Sequence, residues 1–273
     1  QRNEAKEAFD KALELDPNDY RTFWNMHSLS EDNDEAKRLL ERCIERNPSF
    51  SLGVTNLAGI NAMMGDTDAL DFLNASELQD DPIISSYNWL MTCSPFPEMK
   101  YNRWAIFDFV IDNAVPNRAC YEFGVWMGNS LKYLMKGFEF GFGFDTFSGL
   151  PEKWGYEEQG SYSSFGIVPK ISNVEFVIGK FEETLENFFA TERPMASVIN
   201  FDADLYSSTL CALINSHKVI DPNTLLIFDE MIGNENWQQD EFKALKDYCS
   251  IFNLQFEVIA ASVFSKQVVV RVT

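Results

Sequence analysis

Residues 121–151 constrain the fold more than any other part of this chain. They read as the end of a strand, a turn with two glycines, a helix and a second strand. Residues 119–123 form a short apolar run that is typical of a buried strand. Gly124 and Gly128 follow it, and glycines allow a sharp turn and the close approach of a ligand to the backbone. The stretch therefore predicts an α/β unit with a ligand at the turn.

The helix and second strand of this unit have their own signals. Asn129 and Ser130 are typical N-cap residues, and they precede a helical run over residues 131–136. The second strand is predicted over residues 139–144, and Asp145 follows it directly. An acid at this position can accept hydrogen bonds from both hydroxyls of a ribose.

The turn also indicates which ligand it suits. It lacks the third glycine of a dinucleotide-binding turn, so it offers a weaker cradle for a pyrophosphate. The pattern Glu-x-Gly-x-x-x-Gly, which begins at Glu122, suits a ligand with a ribose, a cationic amino acid end and no phosphate. S-adenosylmethionine fits that description. The alternative is an ordinary glycine turn in an α/β domain.

Three blocks of sequence carry a resemblance to a known family. They are YEFGVWMGNS from residue 121, GFDTFSGLPE from residue 143, and NFDADLYSST from residue 200. Together they resemble class I S-adenosylmethionine-dependent methyltransferases of the macrocin O-methyltransferase type, which methylate sugar hydroxyls of natural products. The resemblance covers about residues 117–273. It implies an α/β, doubly wound, Rossmann-like sheet.

The resemblance also implies a set of cofactor-binding residues. Phe181 follows the third predicted strand, where it could stack on the adenine or belong to the core. Asp202 follows the fourth predicted strand. The complete set is Glu122, Gly124, Gly128, Ser130, Asp145, Thr146, Phe181 and Asp202.

The remaining strands alternate with helices, which is typical of a doubly wound sheet. The predicted strands are residues 174–178, 196–201, 224–228, 254–260 and 267–272, with the last one antiparallel. The predicted helices are residues 183–190, 209–219 and 237–251.

Four acids follow two of these strands. Asp202 and Asp204 come after the fourth strand, and Asp229 and Glu230 after the fifth. The carboxyl ends of neighbouring strands meet over one crevice, so the four carboxylates should lie close together. Close carboxylates repel one another unless a cation or protons intervene. The alternative is that some of them are helix caps or solvated loop residues.

The resemblance implies that Asp204, Asp229 and Glu230 hold Mg²⁺, with Asp204 and Asp229 as the catalytic residues. The family more often has two aspartates after the fifth strand, so Glu230 departs from its pattern. Carboxylate oxygens are suitable ligands for Mg²⁺. His27 and His217 are the two histidines, and neither follows a predicted strand. A histidine base is therefore not expected unless His27 reaches over from the N-terminal region.

The N-terminal region contains an internal repeat. Residues 4–17 and 35–48 align without gaps at an offset of 31, and each unit ends in a proline. The pattern resembles the tetratricopeptide repeat, which packs paired helices. Such helices could bind a protein partner, or they could dock on the catalytic domain or form a homo-oligomer.

The repeat predicts helical repeats over residues 1–78. The resemblance implies a connector and covering helix over 79–116 and a methyltransferase domain over 117–273. The covering helix, residues 101–113, is amphipathic and carries Arg103 and Trp104. These two side chains could cover the cofactor cleft or pack between the domains. Residues 152–170 form a polar, aromatic loop, which is either a substrate lid or a passive insertion.

Composition narrows the possible partners. A net charge of −20 disfavours nucleic acid and anionic membranes. The five cysteines are scattered and form no Cys-x-x-Cys motif, which favours reduced thiols and a cytoplasmic protein. The chain begins within a helical pattern, so we expect it to be part of a longer protein.

The sequence therefore predicts an S-adenosylmethionine-dependent O-methyltransferase, assisted by Mg²⁺, that acts on a sugar or polyol hydroxyl. One alternative is an NAD-type oxidoreductase, against which the missing third glycine counts. Another is a non-catalytic scaffold, in which the repeats bind a partner and the α/β domain is structural.

Overall fold

The computed structural model describes residues 2–76 and 78–273. Its N-terminal part is a stack of helices in which neighbours along the chain pack against each other. The helices are α1 (Arg2–Leu15), α2 (Tyr20–His27), α3 (Asn33–Arg46), α4 (Ser51–Met63), α5 (Asp68–Asn74) and α6 (Pro82–Met91). The sequence repeat therefore places α1 and α3 at equivalent positions, and α2 is an additional helix between them.

Aspartates determine where several of these helices begin. The Asp32 side chain accepts a hydrogen bond from the backbone N–H of Glu35, and Asp81 accepts from the N–H groups of Ile83 and Ile84. These bonds satisfy backbone donors that have no partner within the helix. Pro82 follows Asp81 at the start of α6, where its missing N–H costs nothing.

The C-terminal part contains an eight-stranded sheet in the order β1-β7-β8-β6-β5-β2-β3-β4. Strand β8 is antiparallel to β6 and β7, and the other neighbours are parallel. The strands are β1 (Glu98–Met99), β2 (Ala119–Phe123), β3 (Gly141–Asp145), β4 (Val174–Ile178), β5 (Ala196–Phe201), β6 (Leu225–Phe228), β7 (Phe256–Ser262) and β8 (Gln267–Val272). The predicted fold class, a doubly wound Rossmann-like sheet preceded by a helical segment, is confirmed, as is the antiparallel last strand.

Helices cover both faces of this sheet. Along β2, Tyr121 and Phe123 belong to one core cluster and Cys120 belongs to another, because successive strand residues point to opposite faces. The remaining helices are α7 (Arg103–Asn113), α8 (Asn129–Leu134), α9 (Phe181–Phe189), α10 (Tyr206–Ser216) and α11 (Glu241–Phe252). Side chains of α7 and α8 join the Cys120 cluster, whereas those of α9, α10 and α11 join the other. Both faces are therefore buried.

The predicted caps of α8 were wrong. Asn129 is already the first helical residue, and the N-cap is Gly128, which makes no side-chain cap hydrogen bond. Gly128 has a φ of 75°, a left-handed conformation that glycine adopts readily. The backbone therefore enters this helix through the glycine, and no capping side chain starts it. The helix predicted over residues 237–251 is also divided, because a short 3₁₀ turn at Trp237–Gln239 precedes α11.

The helical stack and the sheet share a core. Tyr87 of α6 is buried with Ala58 of α4 in the cluster that also contains Phe123. A Cβ built on Gly59 would lie 2.3 Å from the Tyr87 ring, so the glycine lets the two helices approach closely. Strand β1, which had no clear sequence signal, adds the connector to the sheet by pairing with β7. The division into residues 1–78, 79–116 and 117–273 stays a prediction. The apolar contacts between α4 and α6 cross its first boundary, after residue 78.

No helix within the part of the chain that the structure describes is both long and apolar enough to cross a membrane.

Candidate cofactor and acceptor site

A cavity of about 300 Å³ opens where the carboxyl ends of β2, β3, β5 and β6 meet. This is the crevice at which ligands bind in open α/β sheets. Of the residues predicted to bind cofactor or metal, those that line the cavity are Gly124, Ser130, Asp145, Thr146, Phe181, Asp202, Asp204, Asp229 and Glu230. Glu122 and Gly128 were predicted as well, but they are not part of its lining.

Asp145 holds the glycine turn in place. Its Oδ2 accepts hydrogen bonds from the backbone N–H groups of Val125 and Trp126, both at 2.7 Å. Its Oδ1 accepts from the N–H of Phe147 at 2.6 Å. The carboxylate is therefore fixed at the cavity wall, between the turn after β2 and the loop after β3. Binding of a ribose by Asp145 stays a prediction, and these bonds give the residue a second role in shaping the turn.

We expect Asp145→Ala to weaken binding of S-adenosylhomocysteine by about 1.5–3 kcal/mol, the usual scale for hydrogen bonds to a charged group. The loss has two physical sources, the missing ribose acceptor and the released turn. Calorimetry on the folded variant measures it. Asp221→Ala is the matched control, because Asp221 also accepts a backbone hydrogen bond but does not line the cavity. Equal affinities for Asp145→Ala and the wild type would remove Asp145 from the site.

The two glycines of the turn have different surroundings. A Cβ built on Gly124 would lie 1.8 Å from the carbonyl oxygen of Asp202, so the ends of β2 and β5 meet there without space for a side chain. A Cβ on Gly128 would lie 2.8 Å from Cγ of Pro169. Gly128 therefore leaves room for the end of the 152–170 loop, and its contact with a cofactor stays a prediction.

Glu122 is buried within the sheet. Its Oε1 accepts a hydrogen bond from Nδ2 of Asn200 at 2.8 Å, whereas Oε2 of Glu122 and Oδ1 of Asn200 have no partner. Burial raises the pKa of Glu122 from 4.5 to about 8, although the Asn200 hydrogen bond opposes the shift. A proton on Oε2 of Glu122 would give the Glu122–Asn200 pair the second hydrogen-bond donor that it lacks. Direct binding of a cofactor by Glu122 stays a prediction.

The raised pKa makes the protein's stability depend on pH. Between about pH 4.5 and pH 8, folded Glu122 retains a proton that the unfolded chain has released, so the free energy of unfolding should fall as pH rises. Glu122→Gln removes this term and can pair with Asn200 through its amide. We expect the variant to be more stable than the wild type at about pH 9 and to differ little at about pH 4. Urea unfolding at both pH values is the measurement, and a difference that does not change with pH would contradict the assignment.

Phe181 is the first residue of α9, and it lines the cavity beside Lys180. Its ring also contacts Phe123 edge to face, with 5.6 Å between the ring centroids. Phe181 therefore serves the core and borders the cavity at once, so both roles considered from the sequence are possible for one side chain. Stacking on an adenine stays a prediction.

The four acids after β5 and β6 all line the same cavity, as expected from their positions at strand ends. Burial, reinforced by the charges of Glu230 and Asp229, raises the pKa of Asp204 to about 7. Burial also raises the pKa of Asp229, against the opposing effect of Arg103. The pKa of Asp202 is raised for the same primary reason, with the Asp229 charge adding to it. Of these acids, Asp204 is therefore the one placed to exchange a proton near neutral pH.

Protein donors already bind the acids at the end of β6. Oδ2 of Asp229 accepts from Nη2 of Arg103 at 2.5 Å, and Oδ1 accepts from Nε2 of Gln267. Oε2 of Glu230 accepts from Nδ2 of Asn234 at 2.7 Å and lies 3.5 Å from Nζ of Lys266. Arg103 and Lys266 therefore balance negative charge for which the sequence predicts a metal ion.

The predicted Mg²⁺ site is not supported by this arrangement. Among residues 2–76 and 78–273, no three His, Cys, Asp or Glu side chains are grouped so that they could hold a metal ion. Both carboxylate oxygens of Asp229 are bound to protein donors, and Glu230 has one oxygen bound. The donor set of Asp204, Asp229 and Glu230 therefore does not fit an ion as these side chains stand.

The sequence leaves the role of Arg103 open. The structure places it at the start of α7, lining the cavity and paired with Asp229. Trp104 packs against Phe107 and Tyr133 and is half-exposed. The sequence offered one signal for this role of Arg103. It is an arginine in the first turn of the helix predicted to cover the cleft, in a chain with a net charge of −20.

The 152–170 loop borders the cavity. Tyr162 lines it together with Trp126, and their rings meet edge to face at 6.1 Å between centroids. Oε1 of Glu152 accepts a hydrogen bond from the hydroxyl of Ser207, at the start of α10. Other aromatic side chains of the loop, such as Tyr156 and Phe165, are exposed. The loop is thus placed where a lid would be, and opening or closing stays a prediction.

Neither histidine belongs to this site. His27 is buried against Trp24 and Phe264, and burial lowers its pKa to about 4. His217 stacks on Phe252 and hydrogen bonds to Tyr248. Neither lines the cavity, so His27 does not reach over to it.

Comparisons with known proteins give limited similarity. A family model described as a tetratricopeptide repeat matches residues 1–19. No curated protein matches the chain.

Solved structures provide further likenesses. The chain is similar to the O-methyltransferase NovP, with 19% identity and a TM-score of 0.46 over 63% of this chain and 80% of NovP. It is similar to CalS11, a calicheamicin methyltransferase, with 18% identity and a TM-score of 0.48 over 89% and 93%. An O-methyltransferase from Bacillus cereus in complex with SAH has 12% identity and a TM-score of 0.42 over 74% and 96%. These are likenesses of overall structure, and no residue role in this chain rests on them.

Proposed function

We propose that this protein is an S-adenosylmethionine-dependent O-methyltransferase that acts on a sugar or polyol hydroxyl of a small molecule or glycoside. One observation carries the proposal. A glycine turn after β2, held by the acid at the end of β3, opens on a cavity that is also lined by the carboxyl groups after β5 and β6. Asp145, the expected ribose acceptor, and Asp204, the expected proton acceptor, line the same cavity, which supports the proposal.

The charge of the cavity favours this cofactor over a dinucleotide. S-adenosylmethionine carries a positive sulfonium and an ammonium group, which an acidic cavity attracts. Six acids line the cavity against two cations, Arg103 and Lys180, so a negative balance remains even where a raised pKa leaves one of the acids protonated. The acids are Asp145, Glu182, Asp202, Asp204, Asp229 and Glu230. The pyrophosphate of NAD would meet net negative charge there, and the turn lacks the third glycine that such a phosphate pair needs. The oxidoreductase alternative is therefore disfavoured on electrostatic grounds.

The side chains of the cavity can divide the work of methyl transfer. When bound, S-adenosylmethionine supplies an electrophilic methyl group. Asp204 is the candidate general base, because a carboxylate with a pKa of about 7 can accept the proton of an acceptor hydroxyl near neutral pH. Asp229, fixed by Arg103 and Gln267, can orient the acceptor, because each of its oxygens keeps a second lone pair that can accept a hydrogen bond from a neutral hydroxyl.

A screen for methyl transfer tests the proposal. The full chain is incubated with methyl-labelled S-adenosylmethionine and a panel of free sugars, polyols and glycosides, and label in the product is counted. The proposal expects label on a hydroxyl oxygen of at least one member, confirmed by mass spectrometry of the product. Label on nitrogen or carbon acceptors alone would contradict O-methylation. Tight binding of NAD in place of S-adenosylhomocysteine would favour the oxidoreductase alternative.

A further inference from the structure

The acids of the cavity need a counter-charge. Asp229 is 2% exposed, and a buried carboxylate is costly unless it is paired. Two cations line the cavity, Arg103 and Lys180. Lys180 lies 3.8 Å from Glu182, an ion pair at the start of α9, whereas Arg103 contacts Asp229 directly at 2.5 Å. Arg103 is thus the cavity-lining cation that balances the acid group after β6.

The helical stack holds Arg103 in this position. Arg103 is the first residue of α7, and the N-cap before it, Asn102, uses Oδ1 to accept from the N–H of Ala105. Nδ2 of Asn102 donates to the backbone oxygen of Ser28 at 2.6 Å, just after α2. Tyr101 donates to the side chain of Asn33, at the start of α3. The start of α7 is therefore bound to two helices of the stack on one side and to Asp229 on the other.

A guanidinium at this place competes with a metal ion. An ion on Oδ2 of Asp229 would lie within a few ångströms of Nη2 of Arg103, and two cations that close repel strongly in a partly buried site. The second oxygen of Asp229 is bound to Gln267, so rotation of the carboxylate frees no oxygen without breaking that bond. Metal binding would require Arg103 to leave.

We propose that Arg103 is a positioning residue that serves as the fixed counter-charge of Asp229, at the place where the sequence predicts Mg²⁺, and that the helical stack keeps it there. The proposal deepens the proposed function by assigning how the acceptor side of the cavity is balanced. Its test measures ion binding and does not require methyl transfer. This proposal and the proposed function can therefore fail separately.

Titration with Mn²⁺, followed by the electron paramagnetic resonance signal of the free ion, tests this on the full chain. We expect wild-type protein to bind Mn²⁺ no more tightly than a Kd of about 1 mM. Arg103→Met keeps much of the side-chain length and removes the charge, so Asp229 becomes available and Mn²⁺ should bind about tenfold more tightly or better. Arg103→Lys keeps a positive charge, so its affinity for Mn²⁺ should stay closer to that of the wild type.

Arg118→Met is the matched control, because Arg118 forms an ion pair with Asp221 at 2.9 Å and neither residue lines the cavity. It should leave Mn²⁺ affinity unchanged. A wild-type Kd for Mn²⁺ that is about tenfold or more below 1 mM would overturn the proposal. This outcome needs only the wild-type protein, so it decides even if Arg103→Met does not fold. Weak binding that Arg103→Met fails to strengthen would overturn it as well.

Discussion

Gly124→Ala should lower the free energy of unfolding by roughly 3–5 kcal/mol, the sum of overpacking against the backbone and strain at a positive φ. Gly124 has a φ of 90°, and its added Cβ would lie 1.8 Å from the carbonyl oxygen of Asp202. That oxygen belongs to the backbone and cannot rotate away as a flexible side chain could. The ends of β2 and β5 must separate, so the variant should also lose affinity for S-adenosylhomocysteine. Urea unfolding measures the first effect and calorimetry the second.

Gly65→Ala is the matched control for this substitution. Gly65 also has a positive φ, 97°, but an added Cβ would meet nothing within 4 Å. Its free energy of unfolding should fall only by the cost of the left-handed conformation, about 1–2 kcal/mol. Equal losses at Gly65 and Gly124 would show that strain alone matters and that the strand ends can separate freely.

Asp204→Asn should lower kcat by about 10²- to 10⁴-fold, the usual contribution of a general base. Asparagine has nearly the same shape and tolerates the left-handed backbone of Asp204, whose φ is 61°, so the fold should be preserved. The amide cannot accept the hydroxyl proton. Affinity for S-adenosylhomocysteine should change little, because the loss concerns the acceptor. Steady-state kinetics with an acceptor found in the screen, and calorimetry, measure the two quantities.

Asp247→Asn makes the same chemical change away from the cavity. Asp247 forms an ion pair with Lys243 and hydrogen bonds to Tyr206, and it does not line the cavity. Its kcat should equal that of the wild type. Normal turnover by Asp204→Asn would exclude Asp204 as the base.

Short apolar strands were the part of this fold that could be predicted best. Strands β2, β4, β5 and β8 have the predicted limits, because each is an apolar run of five or six residues between turn signals. The meeting of the four acids follows from the same pattern, since the strand ends determine where the side chains after them lie. Strand β1 has only two residues, too few for any periodicity, and its pairing with β7 depends on the folded chain.

Contacts between distant residues could not be predicted. Arg103 and Asp229 are 126 positions apart, and no local pattern joins them. Glu122 has the sequence position of a ligand-binding acid, yet its carboxyl group pairs with Asn200 inside the sheet. The start of α8 depends on the backbone of Gly128. The polar residues after it, Asn129 and Ser130, indicated a side-chain cap instead. In each case tertiary packing decided between roles that the sequence left possible.

Titration of the wild-type chain with S-adenosylhomocysteine, followed by calorimetry, tests the central claim most directly. The turn held by Asp145 and the acidic cavity together predict binding of one ligand per chain, with no binding of NAD under the same conditions. We expect saturable binding of one S-adenosylhomocysteine per chain. Folded protein that takes up NAD, or neither ligand, would contradict it.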